Sequence, residues 1–178
     1  MKKMLLLFFA LSTMAMRCDP GDPWGNDTSR GMKPIYAPKV DALKISVESP
    51  RAFPESSKIY YKDKYIFMVE QGVGVHVIDN RDSTKPQNVK FIRIFGCSDI
   101  AIRGSTMYAD NLYDLVSIDF SKIDSPVVTS RVSNLYKSNQ GIKEFPVDFH
   151  GYFECLDTTK GALIGWKESL LDNPQCRR

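Results

Sequence analysis

A mainly β chain built from two equivalent four-stranded units is what the sequence predicts, and three observations carry that reading. Short apolar runs rich in Tyr, Val and Ile alternate with turn residues, and ten Pro and eleven Gly punctuate the 178 residues, which favours strands and turns over long helices. Residues 59–94 and 99–134 align with each other at an offset of forty. Each copy holds four short strand-like segments, and four strands in about forty residues is the arithmetic of one blade of a β-propeller. At this length one domain is the default. The reading is a single β domain over 39–178: two propeller-type blades, a short helix before them and a covering segment after them.

The N-terminal element is a targeting segment. Lys2 and Lys3 precede an apolar run from Met4 to Ala15, interrupted only by Ser12 and Thr13. Such a run is shorter than the ~20 residues needed to cross a hydrocarbon core of ~30 Å, and its layout is that of a secretory signal over residues 1–17. Lys2, Lys3 and Arg17 account for the whole surplus of 24 basic over 21 acidic residues. The rest of the chain is formally neutral, which excludes a polybasic nucleic-acid surface. Cys18 stands where the apolar run ends and resembles the lipid acceptor of a bacterial lipoprotein signal, although Arg17 departs from the small residue usual beside it. Residues 18–38 then read as a polar, Pro-punctuated tether carrying Asp19, Asp22 and Asp27. Val40, Leu43 and Val47 recur at helical spacing and predict one short helix at about 39–47.

The two repeats read alike. A first strand (Ile59–Tyr61; Asp99–Ile102) meets a turn, and a second follows (Tyr65–Glu70; Thr106–Asp110). A third runs Gly74–Asp79 and Leu112–Asp119, and a polar turn ending in Pro86 or Pro126 leads to the fourth (Val89–Ile94; Val127–Val132). Proline has a fixed φ and no N–H, so it suits the approach to a strand. Asp79 and Asp119 are placed to accept hydrogen bonds from the turns they open. A uniform shift of forty maps Glu70 onto Asp110 and Phe67-Met68 onto Met107-Tyr108. The runs Tyr65–Val69 and Val75–Ile78 are nearly continuous in apolar residues, as strands buried on both faces should be. A further shift of forty places Thr159 and Trp166 at the Asp and Pro positions, so no third copy follows at that period. Residues 134–150 read as loop and 162–168 as strand, within a C-terminal cover over 135–178.

Export permits disulfides. With Cys18 lipidated, three thiols remain and one is odd. Cys155 and Cys176 lie in the same C-terminal segment, and pairing them closes a loop worth about 3 kcal/mol on the chain-entropy model. Cys97 reads as a small buried residue. His76 alternates with Val75 and Val77 and points to the other sheet face, as a packed histidine. No catalytic residue, metal site or cofactor is predicted: the sequence has no G-x-S-x-G, phosphate loop, HExxH or CxxC. Asp79-Asn80-Arg81-Asp82 lacks the ligand order of a calcium loop. Tyr60, Tyr61, Tyr65 and Tyr108 read as core packing rather than as a carbohydrate-lining surface.

Val75-His76-Val77-Ile78-Asp79 and Leu115-Val116-Ser117-Ile118-Asp119 resemble the LVIVD repeat, named for that strand and its closing Asp. Gly72-Val73-Gly74 and Asn80 around the first copy agree with it, as do Tyr108-Ala109-Asp110 and Asp114 around the second. Gly165-Trp166-Lys167-Glu168 and Cys176 are similar to C-terminal segments of such proteins. The likeness covers roughly 35–178 and is strongest over 59–132. It implies an exported bacterial lipoprotein with a propeller-like domain, held in the cell envelope, here at the outer membrane, by the lipid on Cys18. The family usually carries more repeats. Two blades close no ring, so the chain is a short or truncated member, or its sheets are completed by a partner, or residues 135–178 cover the open face, the reading preferred here.

The expected function is a binding or structural module without enzymatic activity. It would be anchored to a membrane and would meet a protein partner or a second copy at an open sheet edge. A small envelope hydrolase using blade-loop carboxylates, or a fragment with no independent function, are the rivals.

Overall fold

The structure is a computed structural model and describes residues 28–54 and 57–178. The predicted signal segment, Cys18 and the tether as far as residue 27 lie outside the described residues. The described chain is mainly β, with three sheets, none closed into a barrel.

The first sheet contains β2 (Ser46–Glu48), β3 (Lys58–Lys62), β4 (Tyr65–Glu70), β5 (Gly74–Asp79) and β6 (Gln87–Arg93), in the order β2-β6-β5-β4-β3. The second contains β7 (Ile100–Arg103), β8 (Thr106–Asn111), β9 (Asp114–Asp119) and β10 (Val127–Val132), in the order β10-β9-β8-β7. Each run of four consecutive strands is an antiparallel meander. Asp63 and Lys64 both have positive φ, the requirement of a two-residue I′ hairpin turn, and Gly104 supplies the positive φ at the equivalent turn of the second sheet. The register shift between Val77 and Ile78 leaves Val89 as an extra residue on β6. A matching shift leaves Thr129 extra on β10, forty residues on.

The alignment at a uniform forty needs one correction. It holds for the third and fourth strands and fails for the first and second. Three residues, Gln71 to Val73, join β4 to β5, because Glu70 pairs with Gly74. Only Leu112 and Tyr113 join β8 to β9, because Asn111 pairs with Asp114. The ladder equivalent of Phe67 is therefore Tyr108, and that of Glu70 is Asn111.

Cross-strand partners share a face, so the faces follow from the register. Phe67, Val69, Val75, Val77 and Ile92 of the first sheet form one buried cluster with Ile100, Met107, Ala109, Val116 and Ile118 of the second. Each such side chain contributes about 1.5–3 kcal/mol by leaving water. On the third strands, Val75 and Val77 face the interface, whereas their equivalents Leu115 and Ser117 face away from it. Val116 and Ile118, which do face it, are equivalent to His76 and Ile78 on the far side of the first sheet. The front of one sheet thus meets the back of the next, which a two-fold sandwich of identical faces would not produce.

Two readings of the N-terminal region are corrected. The helix α1 is one turn, Lys39–Ala42, not 39–47: Val40 is exposed and Val47 pairs with Ile92 as part of β2. Strand pairing outbids so short a helix, whose nucleation is costly. Residues 28–37 of the expected tether form a strand, β1 (Thr28–Ala37), which pairs antiparallel with β12 (Ala162–Asp172) along its whole length. On its other side β1 runs parallel to β11 (Tyr152–Phe153), and β13 (Cys176–Arg177) completes a third sheet in the order β12-β1-β11-β13. Gly31 is required at the closest point, since a Cβ there would collide with the Tyr152 carbonyl oxygen. Of β1, only Gly31 and Met32 pair with β11, so Pro34 falls where β1 has one neighbour and a missing N–H is tolerated. Cys155 and Cys176 are joined, with S–S 2.03 Å, and staple β11 to β13.

The C-terminal segment covers a different place from the one expected. Gly141 and Ile142 press on Gly72 and Gly96, and the Tyr136 N–H donates to the Tyr113 carbonyl at 3.0 Å. The cover therefore caps the ends of the two sheets at the β4–β5 and β8–β9 turns. The outward face of the second sheet keeps Tyr108 36%, Val127 60% and Val132 50% exposed.

Candidate functional site

The capped end carries the best-formed cavity, of about 280 Å³, where α1, the β8–β9 turn, the loop around residues 134–139 and the approach to β12 converge. Leu43, Leu112, Leu156 and Leu163 give it apolar walls, and Lys39, Asp114 and Asn139 supply polar groups. Beneath it lies a hydrogen-bonded network. Arg131 donates to Asn111 Oδ1 at 2.9 Å, to Asp114 Oδ2 at 2.8 Å and to the Leu43 carbonyl at 2.8 Å. Asn111 donates to the Ala42 and Phe95 carbonyls, and Asp114 Oδ1 accepts from the Asn134 N–H. These bonds fix α1 against the second sheet and hold the cavity wall.

The first sheet has a polar cluster at the equivalent end. His76 is fully buried; its Nε2 lies 2.9 Å from Glu70 Oε2, and its Nδ1 has no partner among the described residues. Phe91 and Phe53 pack on the ring at centroid distances of 4.8 and 5.3 Å. Arg51 sits over Phe91 and reaches Glu70 at 3.4 Å. Residues 51–53 therefore cover the back of the first sheet.

The residues singled out by sequence are dispersed. Cys97 is fully buried, and burial pushes its thiol well above the ordinary range, so it is no thiolate nucleophile. His76 and Cys97 face opposite sides of the first sheet's structure, and His150 is exposed. Asp79 Oδ1 accepts from the Arg81 N–H at 3.0 Å and Asp119 Oδ1 from the Ser121 N–H at 2.8 Å, so both carboxylates close their turns. The buried carboxylates among the described residues are committed as well: Asp114 as above, and Asp110 to the Ser98 hydroxyl and the Ser98 and Asp99 N–H groups. Tyr60 and Tyr65 pack on the core, while Tyr61 and Tyr108 emerge on the outward faces of different sheets, so the four tyrosines form no common surface. Among the described residues no group of three or more His, Cys, Asp or Glu is placed to hold a metal ion, and no helix is long and apolar enough to cross a membrane.

Sequence reading missed the end cavity. Its walls come from five separated stretches of chain, and no short-range motif joins them.

A second candidate is the edge of the second sheet. In the first sheet β6 carries β2 along its edge: Ser46, Val47 and Glu48 pair with Arg93, Ile92 and Phe91. The equivalent strand β10 ends its sheet, with Val127, Val128 and Val132 exposed. Compared with known proteins, the chain matches no family model, no curated protein and no solved structure.

Proposed function

We propose that the protein is an exported, lipid-anchored component of a bacterial cell envelope, attached through Cys18, that works as a binding module built on two LVIVD-type propeller blades. The sequential meanders, the shared bulge and the front-to-back packing support the blade reading. Repetition of one rotation brings front to back each time, whereas a two-fold pair brings like faces together. The observation that carries the functional reading is the contrast of edges: β6 is paired by β2, and β10 ends its sheet among the described residues with Val127, Val128 and Val132 exposed. Its occupant is an extended segment of a protein partner, added antiparallel to β10 as β2 is to β6. Backbone hydrogen bonds give such a complex its affinity, and the exposed valines its selectivity.

Two experiments test this. Metabolic labelling with a palmitate analogue marks the wild-type chain and leaves the Cys18→Ala chain unmarked; equal labelling of both removes the anchor. A photo-reactive amino acid at Val132 forms a discrete protein adduct in cells, and the same group at Tyr61, on the outward face of the first sheet, does not. Equal adducts at both places, or none at Val132, remove the edge as the binding element.

A further inference from the structure

We infer that the end cavity is a binding site for a small monocarboxylate with an apolar body, on the scale of a medium-chain fatty acid. Asn139 carries the argument. It is 4% exposed, and its Oδ1 accepts from the Gly141 and Ile142 N–H groups at 3.1 and 3.0 Å. That pair of bonds fixes which end of the carboxamide is oxygen, since an amide nitrogen cannot accept them. The Nδ2 group, a double donor, has no acceptor among the described residues and belongs to a side chain that lines the cavity. The donor is open to the cavity rather than sealed in the core, so water meets it in the empty site and a ligand's acceptor can take that place.

The charges choose the acceptor. Asp114 is neutralised by Arg131 at 2.8 Å, and Lys39, at the cavity rim, forms no ion pair among the described residues. One positive charge is left over, which fits a monoanion and opposes a cation. Leu43, Leu112, Leu156, Ala162 and Leu163 make most of the remaining wall, with Tyr113, Asn134 and Thr158 beside them, so the body of the ligand is mainly apolar, and a volume of about 280 Å³ lies just below the usual range of small-molecule sites. The carboxylate then sits between Lys39 Nζ and Asn139 Nδ2, with the hydrocarbon between Leu43, Leu112 and Leu163.

Octanoate is the probe. Titrated into the secreted full chain carrying Cys18→Ser, it is expected to shift the Asn139 side-chain NH₂ signals in a ¹H–¹⁵N spectrum and to saturate. Octylamine at the same concentrations leaves them in place. Lys39 is exposed, so Lys39→Gln leaves the fold intact and is expected to weaken octanoate binding at least tenfold. Ala162→Phe is expected to fill the cavity and abolish the shift, and an unchanged spectrum elsewhere confirms its folding. The site is overturned if octanoate leaves the Asn139 signals unmoved, if octylamine binds equally well, or if Lys39→Gln binds octanoate as tightly as its parent. Palmitoylation and adduct formation at Val132 read the proposed function separately, so either proposal can fail without the other.

Discussion

The first and second sheets share their connectivity, their bulge and their aspartate-closed turn, yet β5 is buried along Gly74–Ile78 while β9 alternates between buried and half-buried residues. The difference lies in what covers them. The first sheet has the second on its front, residues 51–53 on its back and β2 on its edge. The second sheet has its inward face and one end covered, while Tyr108, Val127 and Val132 stay exposed on its outward face among the described residues. Substitutions between the copies follow the covers: Val77 becomes Ser117 and Ile92 becomes Val132 as the front turns to solvent. Phe91 becomes Arg131, which answers the Leu43 carbonyl instead of stacking beneath Arg51. A repeat preserves its backbone while its side chains record their neighbours.

The most severe way to break this comparison is at ladder-equivalent aromatics. Phe67 is fully buried and meets Phe120 edge-on at 5.3 Å, so Phe67→Ala is expected to cost about 3–5 kcal/mol by leaving a cavity. Tyr108→Ala, at the equivalent rung, is expected to cost less than about 1 kcal/mol. Urea midpoints at constant m-value read both. Equal losses would mean that the outward face of the second sheet is covered in solution.

Next in size is the third sheet, which joins the two ends of the described chain and has a covalent staple that the other two lack. Replacing Cys155 and Cys176 together by Ser is expected to remove about 3 kcal/mol, because the unfolded chain loses a closed loop spanning a sequence separation of 21. Hydrogen exchange should rise in β11 and β13 and stay unchanged in β5 and β9. A loss of protection spread evenly over all three sheets would make them one cooperative unit.

How much of this was legible depended on whether the signal was local. The repeat strands, their turns and the closing Asp79 and Asp119 were readable because period-two patterning and Asx chemistry act within a few residues. The one-residue difference between the Gln71–Val73 and Leu112–Tyr113 turns was hidden, because the third and fourth strands keep an offset of forty and masked the slip in the first and second. β1 was misread as tether because Pro34 and Pro38 speak locally, while its partner β12 lies more than a hundred residues away. The end cavity was invisible for the same reason: nothing near Asn139 in sequence announces Lys39 or Leu163.

A smaller effect is expected from the network that ties α1 to the second sheet. Arg131→Met keeps the length of the side chain but removes donors to Asn111, Asp114 and the Leu43 carbonyl. Leaving Asp114 half-paired in a buried position is expected to cost about 2 kcal/mol. The double variant Arg131→Met with Asp114→Leu should recover part of it, since removing both partners leaves no uncompensated charge. Failure of the second change to recover anything would place the cost in lost packing of the arginine stem.

The mildest test concerns β2, the strand the first sheet has and the second lacks. Arg93 donates to Glu48 through Nε at 2.9 Å and Nη2 at 2.6 Å, and these hydrogen bonds hold the Glu48 carboxyl below its ordinary value of 4.5 despite partial burial, which opposes them. A carboxylate whose folded value is lowered stabilises the fold fully above its unfolded value, and that contribution is lost as the pH falls through the folded one. Glu48 is more than a third exposed, so the pair contributes less than about 1 kcal/mol. The stability gap between wild type and Glu48→Gln should therefore be full at neutral pH, shrink below about 4.5 and close in stronger acid. Amide exchange at Val47 should follow the same course while β10, which has no such strand to lose, stays flat. A gap that widens on acidification would reverse the sign and show that burial, not Arg93, governs Glu48.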